Sequence, residues 1–247
     1  MKGLAKNHMA EDQKDTMKTT EELEVVTVRF AGDSGDGMQL TGSQFTNNTA
    51  IVGNDLSTFP DYPSEIRAPA GSLAGVSSFQ IQFGSQNIYT PGDKLDVLVA
   101  MNPAALKVHL KDLKVNGLLL INSLNYTARN YKLAGWENDP LKDDTLKDYR
   151  LVEVNMSELV SNAVADLKLA PKIINRSANM FALGFLYYLY DRNLESTTNF
   201  ITTKFGKYPE LAEANKRALK AGFNFAHTMK AIRINYHIPK AKFKKGT

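Results

Sequence analysis

The residues best equipped for chemistry lie in Gly32-Asp33-Ser34-Gly35-Asp36-Gly37, where glycines that leave backbone amides open alternate with two carboxylates. A glycine-rich turn that joins a strand to a helix offers its amides to an anion, and the helix dipole adds to the attraction. Asp33 and Asp36 oppose that use, because a carboxylate repels a phosphate most where the local dielectric is low. Either a neighbouring cation compensates or the loop serves something other than phosphate. A tight turn that packs helix against sheet would also account for the glycines.

A second dense group is Tyr62-Pro63-Ser64-Glu65-Ile66-Arg67-Ala68-Pro69-Ala70-Gly71. In extended backbone Glu65 and Arg67 face the same way and can pair, while the planar fork of Arg67 suits a carboxylate or phosphate. Arg67 is therefore the candidate for the compensating cation. The plainer reading is a surface ion pair of small energetic worth.

Other chemistry is thin. The spacing Gly-x-x-Gly-x-Gly is not the dinucleotide fingerprint, and no second strand ending in an acidic ribose partner follows it, which weakens both an NAD and a methyltransferase reading. Gly35-Asp36-Gly37 followed by Asn47-Asn48 is similar to the thiamine diphosphate motif that offers Asp and Asn to magnesium. Here the two parts are separated by only about three helical turns, with no return strand to bring them to one metal. His8, His109, His227 and His237 are scattered without metal-ligand spacing, and no serine has a nucleophile-elbow context. No catalytic residue and no metal ligand is assigned to this chain.

The elements that must position these loops can be read from periodicity. Residues 1–24 form a polar leader, expected to be disordered. Val25 to Phe30 reads as a buried strand that opens into the glycine turn, and Gly37 to Val52 as the helix launched from it. Ser57 to Gly75, rich in Pro and Gly, predicts an irregular loop. Val76 to Phe83 alternates like a strand with one wetter face. Leu95 to Met101 and Gly117 to Ile121 are apolar strands on either side of a helical Pro103 to Leu113, the spacing of a parallel crossover. Tyr126 to Leu146 reads as an excursion before a strand at Arg150 to Val154. Helices follow at Ser157 to Leu167, Ile173 to Tyr190 and Pro209 to Ile232. Residues 236–247, with Lys240, Lys242, Lys244 and Lys245, read as a basic linker or frayed tail. The expected class is α/β: a Rossmann-like, mostly parallel sheet with flanking helices and a helical C-terminal third, in one domain over residues 25–235.

Composition narrows the function classes. The chain has 247 residues, 43% hydrophobic and 23% charged, enough for one substantial core and unlike a disordered or collagen-like sequence. Thirty basic against 26 acidic residues give a net +4, a slight excess rather than the dense cationic face of a nucleic-acid binder. With no cysteine, this chain cannot itself ligate an iron–sulfur cluster or form a disulfide. Ala178 to Tyr190 is the most hydrophobic stretch, too short to cross a bilayer, and the leader lacks the apolar core of a secretory signal. The expectation is a soluble, cytoplasmic protein without membrane or nucleic-acid partners.

Four blocks together resemble one known family. The run Val28 to Gly37, the loop Tyr62 to Arg67, the stretch Asp96-Val97-Leu98-Val99-Ala100-Met101-Asn102 and the late Asn179-Met180-Phe181-Ala182-Leu183-Gly184 are similar to the gamma module of 2-oxoacid:ferredoxin oxidoreductases, and occur in the family's order. The Tyr-Pro-Ser-Glu-Ile-Arg form looks most like the 2-oxoglutarate branch, in which gamma is fused ahead of an alpha domain. One departure is Ala68-Pro69, where many gamma modules continue Glu-x-Arg with Gly-Gly.

The resemblance implies an enzyme that decarboxylates a 2-oxoacid, passes the acyl group to coenzyme A and delivers electrons to ferredoxin. It places thiamine diphosphate, Mg2+ and iron–sulfur clusters in alpha and beta partner parts, with coenzyme A as co-substrate, an oligomeric assembly, and residues 236–247 leading toward an alpha domain. For this module it implies that Gly32, Ser34, Gly35, Asp36, Gly37, Glu65 and Arg67 border the coenzyme A path. A non-catalytic docking scaffold and an independent nucleotide- or S-adenosylmethionine-binding enzyme remain alternatives.

Overall fold

A computed structural model describes residues 19–65, 67–229 and 234–242. Its centre is a six-stranded sheet in the order β3-β4-β2-β5-β6-β7, formed by β2 (Val25–Asp33), β3 (Asp55–Asp61), β4 (Val76–Gly84), β5 (Leu95–Ala100), β6 (Leu113–Asn122) and β7 (Arg150–Val154). β2, β5, β6 and β7 run parallel to one another, while β4 is antiparallel to both β2 and β3. The mostly parallel α/β class read from the sequence is therefore the observed one.

Strand alternation divides the core between two faces. Val28, Phe30, Val97, Val99, Leu118 and Leu120 point to one side, where α1 (Met38–Val52), α4 (Met156–Ala163), α6 (Ala178–Leu189) and α8 (Pro209–Thr228) cover them. Ala31, Leu98, Ala100, Leu119 and Ile121 point to the other, under α2 (Pro103–His109) and the excursion that contains α3 (Ala128–Leu133). Every residue of α6 is buried. A helix that is apolar all round must be surrounded by protein, and this explains why the most hydrophobic stretch of the chain is a core helix.

Several sequence expectations change. The loop expected over Ser57 to Gly75 is a strand through Asp61, because β3 is the sheet edge, where Pro60 costs no ladder hydrogen bond with a further neighbour. β4 has no wet face: Gln80 is buried, its Oε1 accepting from Arg29 Nε at 2.9 Å and its Nε2 donating to the carbonyls of Pro91 and Gly92 at 2.6 Å. The helix expected over Ile173 to Tyr190 is two, α5 (Pro171–Arg176) and α6, joined at Ser177. α7 (Glu195–Lys204) was not anticipated, since its run of threonines carries little helical propensity. The helix read as ending at Ile232 ends at Thr228, and residues 230–233 lie outside the described residues.

The leader and the tail also meet. Residues 1–18 and 243–247 lie outside the described residues, but Thr19–Glu22 (β1) pairs in parallel with Ile234–His237 (β8). The next residues are fastened to the domain, with the Ala241 amide donating to the Gly53 carbonyl at 2.9 Å and Asn54 Nδ2 to the Pro239 carbonyl at 2.7 Å. Among the described residues no helix is long and apolar enough to cross a membrane.

Candidate functional site

α1 leaves β2 on one face of the sheet and α2 leaves β5 on the other, so the crossovers diverge between these adjacent parallel strands. In open α/β sheets that divergence opens a crevice beyond the carboxyl ends of the strands. A crevice of about 540 Å³ lies there, lined by the glycine loop (Asp33 to Asp36), the 68–70 loop, Asn122, Asn125, Ser157, Lys172, Asn175 and Arg176, among others.

Its floor is held by side-chain hydrogen bonds to backbone. Asn125 Nδ2 donates to the Met101 carbonyl at 2.9 Å, Asn122 Oδ1 accepts from the Met156 amide at 3.1 Å, and the Tyr126 hydroxyl donates to the Ala100 carbonyl at 3.1 Å. The ends of β5 and β6 and the start of α4 are thus fixed to one another.

The wall on the β2 side is two loops joined together. The Gly71 amide donates to Asp33 Oδ2 at 2.8 Å and the Ser34 amide to the Gly75 carbonyl at 3.2 Å. Asp36 turns back on its own loop, with Oδ2 accepting from the Asp33 amide at 2.8 Å. Burial pushes the Asp33 carboxyl above its ordinary range, against the pull of the Gly71 amide and the Asn102 side chain. Burial pushes Asp36 up further, to about 6; the Asp33 amide opposes this and the Asp33 charge adds to it.

The glycines have separate roles. A Cβ on Gly32 would lie 2.7 Å from Asp36 Oδ2, so its absence makes room for the folded-back carboxylate. Gly37 has φ +75°, and a Cβ there would lie 2.4 Å from Asn179 Nδ2 on α6. Left-handed backbone and close approach both require glycine at that position.

Of the residues read from the sequence, Ser34, Gly35 and Asp36 line the crevice, while Gly32 and Gly37 shape the loop from behind. Glu65 and Arg67 are exposed and outside the lining, and among the described residues no ion pair joins them. The cations that share the crevice with Asp33 and Asp36 are Lys172 and Arg176, one helical turn apart on α5. Sequence reasoning missed them because nothing in a short helix more than a hundred residues downstream marks it as facing the glycine loop. Asn122 and Ser157 could have been found: they lie at or just beyond the carboxyl ends of parallel strands. Among the described residues no cluster of His, Asp or Glu is placed to hold a metal ion.

A mostly parallel α/β sheet with a polar crevice at its switch point, walled by a glycine loop and a cationic helix, defines a Rossmann-like domain. Residues 27–225 match the family model described as pyruvate ferredoxin/flavodoxin oxidoreductase, and the chain belongs to that family. It is 51% identical over 224 residues to the 2-oxoglutarate oxidoreductase subunit KorA of Mycobacterium tuberculosis, an alignment covering 91% of this chain and 34% of that subunit. The chain thus spans about a third of the length of this curated relative.

Three solved structures share the fold. A 2-oxoglutarate:ferredoxin oxidoreductase from Magnetococcus marinus, solved with 2-oxoglutarate, coenzyme A and succinyl-CoA bound, superposes with a TM-score of 0.67 at 23% identity over 89% of this chain and 34% of its own. The gamma subunit of a keto/oxoacid ferredoxin oxidoreductase from Geobacter sulfurreducens gives 0.55 at 21% identity, covering 83% of this chain and 99% of that subunit. Pyruvate oxidoreductase subunit PORC from Thermotoga maritima gives 0.53 at 19% identity, covering 82% and 97%.

Proposed function

We propose that this chain is the gamma domain of a 2-oxoacid:ferredoxin oxidoreductase of the 2-oxoglutarate type, and that its switch-point crevice borders the path of coenzyme A. The complete enzyme converts 2-oxoglutarate and coenzyme A to succinyl-CoA and CO2, and passes two electrons to ferredoxin. The observation that carries this reading is the meeting of Lys172 and Arg176 with the glycine loop in one polar crevice. Phosphates need the two cations, and the amide-rich pantetheine arm suits Asn122, Asn125, Asn175 and Ser157, which donate and accept. Likeness to KorA supports the choice of 2-oxoacid.

Thiamine diphosphate with Mg2+ and iron–sulfur clusters would supply the decarboxylation and electron-transfer chemistry from the alpha and beta partner parts. This chain does not fit a cluster, since it has no cysteine. Its own residues bind and orient: α5 neutralises phosphate charge, the fixed ends of β5 and β6 keep the crevice rigid, and the 68–75 loop forms one rim. Exposed Tyr62, Leu73 and Leu124, on the connections around this end of the sheet, and Leu133, at the end of α3, lie where partner domains would close over the ligand. On this reading the assembly is a cytoplasmic oligomer.

The test is coenzyme A kinetics in the assembled enzyme. Replacing both cations (Lys172→Met with Arg176→Met) should raise the KM for coenzyme A at least tenfold and leave thiamine diphosphate content unchanged. Arg67→Ala, on the exposed loop outside the crevice lining, should change it less than threefold. An unchanged KM in the double variant would favour a docking scaffold that does not touch the co-substrate.

A further inference from the structure

Asp36 puts a carboxylate in the crevice that holds Lys172 and Arg176. The glycine loop uses its amides internally: that of Asp33 donates to Asp36 Oδ2 at 2.8 Å, that of Ser34 to the Gly75 carbonyl at 3.2 Å and that of Asp36 to the Asp33 carbonyl at 2.9 Å. With these amides taken the loop is a poor phosphate cradle, and attraction for an anion falls to the cations of α5. Both cations are available for it, since among the described residues no ion pair joins either to a carboxylate.

The two acids of the loop differ in use. Asp33 Oδ2 accepts from the Gly71 amide at 2.8 Å and so joins the two loops of the wall. The hydrogen bond of Asp36 stays within its own turn, yet its place is built in, because a Cβ on Gly32 would lie 2.7 Å from Asp36 Oδ2 and 3.1 Å from Met101 Cβ. Around it stand Asp33 of the same loop, Gly32 of β2, Met101 beyond β5 and Asn179 of α6 beside Gly37, while the charges across the crevice are Lys172 and Arg176. A space of about 540 Å³ brings a ligand held by those cations under the influence of the Asp36 charge, which low local dielectric strengthens.

We infer that Asp36 is the charge selector of the crevice: its carboxylate weakens any anionic ligand that Lys172 and Arg176 hold, and the neutral acid does not, so affinity rises as the pH is lowered and binding takes up a proton. Burial raises the Asp36 carboxyl to about 6, with the Asp33 amide opposing and the Asp33 charge adding, so both forms are populated near neutral pH. A bound anion raises it further. The ligand class rests on the coenzyme A reading above; the selector rests on the placement of Asp36.

Isothermal calorimetry on the assembled enzyme tests this with dephospho-coenzyme A, whose pyrophosphate diester keeps its charge between pH 5.5 and 7.5. The unmodified enzyme should bind it about fivefold more tightly at pH 5.5 than at 7.5, and take up about 0.5 proton per ligand at pH 6.5, read from buffers of different ionisation enthalpy. Asp36→Asn should bind at least about fivefold more tightly than the parent at pH 7.5, vary less than about twofold with pH and take up almost no proton. A pH dependence that persists in Asp36→Asn, or an affinity lowered by it, overturns the selector; so does the absence of proton uptake by the unmodified enzyme, a measurement that needs no variant. In each of those cases the crevice reading stands if Lys172→Met with Arg176→Met weakens the probe. If that double variant leaves binding unchanged, the crevice reading falls and the selector with it.

Discussion

Gly184 on α6 and Gly222 on α8 each receive the backbone of the other's helix. A Cβ on Gly184 would lie 1.9 Å from the carbonyl oxygen of Leu219, and one on Gly222 would lie 1.9 Å from that of Phe181. The contact is reciprocal, each carbonyl sitting three residues before the opposing glycine, so the two helices cross at backbone distance. α6 cannot yield, because it is buried on all sides. Gly184→Ala or Gly222→Ala should each destabilise the domain by about 3 kcal/mol through overpacking, read as a lower urea midpoint. Gly35→Ala, whose Cβ would meet nothing within 4 Å, should shift the midpoint by less than about 0.5 kcal/mol.

Asp36 should make the protein more stable in mild acid. Its folded pKa is raised to about 6 from 3.8, so between those values the folded state holds a proton that the unfolded state has lost. Stability from this group therefore falls as pH rises from about 4 to 6 and levels off above. Asp36→Asn keeps an acceptor for the Asp33 amide and removes the charge; it should raise stability at pH 7 by about 1–3 kcal/mol. Denaturant titrations at pH 4.5 and 7 check this, and an equal gain at both pH values would contradict it.

His109 should act in the opposite sense. Burial, with the Arg29 charge adding to it, lowers its pKa to about 4 from 6.5, and its Nδ1 lies 2.8 Å from Arg29 Nη1. Arg29 also pairs with Asp112 at 2.5 Å. As pH falls from 6.5 toward 4 the unfolded state gains a proton that the folded state refuses, so stability is lost over that window. His109→Gln should flatten this limb of the pH profile. NMR titration of the imidazole should show it neutral at pH 5.5.

Arg192 is 3% exposed, and its Nη2 donates to Asn54 Oδ1 at 2.6 Å rather than to a carboxylate, with the guanidinium 5.4 Å from the Phe83 ring centroid. Asn54 in turn holds the Pro239 carbonyl. Asn54→Ala strands a buried cation and releases residues 238–242, at a cost of about 3 kcal/mol. Hydrogen exchange at the Ala241 amide should accelerate more than at amides of β5. Pairing Asn54→Leu with Arg192→Met should recover much of the stability, since no stranded charge remains; an additive loss would refute the relay.

What the sequence determined by itself follows from local rules. Alternation and apolar runs marked β2, β5, β6 and β7, and the crossover spacing made β5 and β6 parallel, because these signals depend only on neighbours in the chain. The Gly32 to Gly37 loop was legible for the same reason: φ +75° at Gly37 and the close approach at Gly32 leave a local record in the glycines. Tertiary structure decided which cations share the crevice with the loop's two carboxylates. Arg67, thirty-one residues beyond Asp36, stays outside the crevice lining, and Lys172 and Arg176 are carried in by the turn at Ser177 that sets α5 against the sheet end. It also decided that Gln80 is buried, that Asp55–Asp61 becomes an edge strand, and that β1 finds β8. Each of these depends on what lies across a gap in space rather than a step along the chain, and burial and electrostatics act through space.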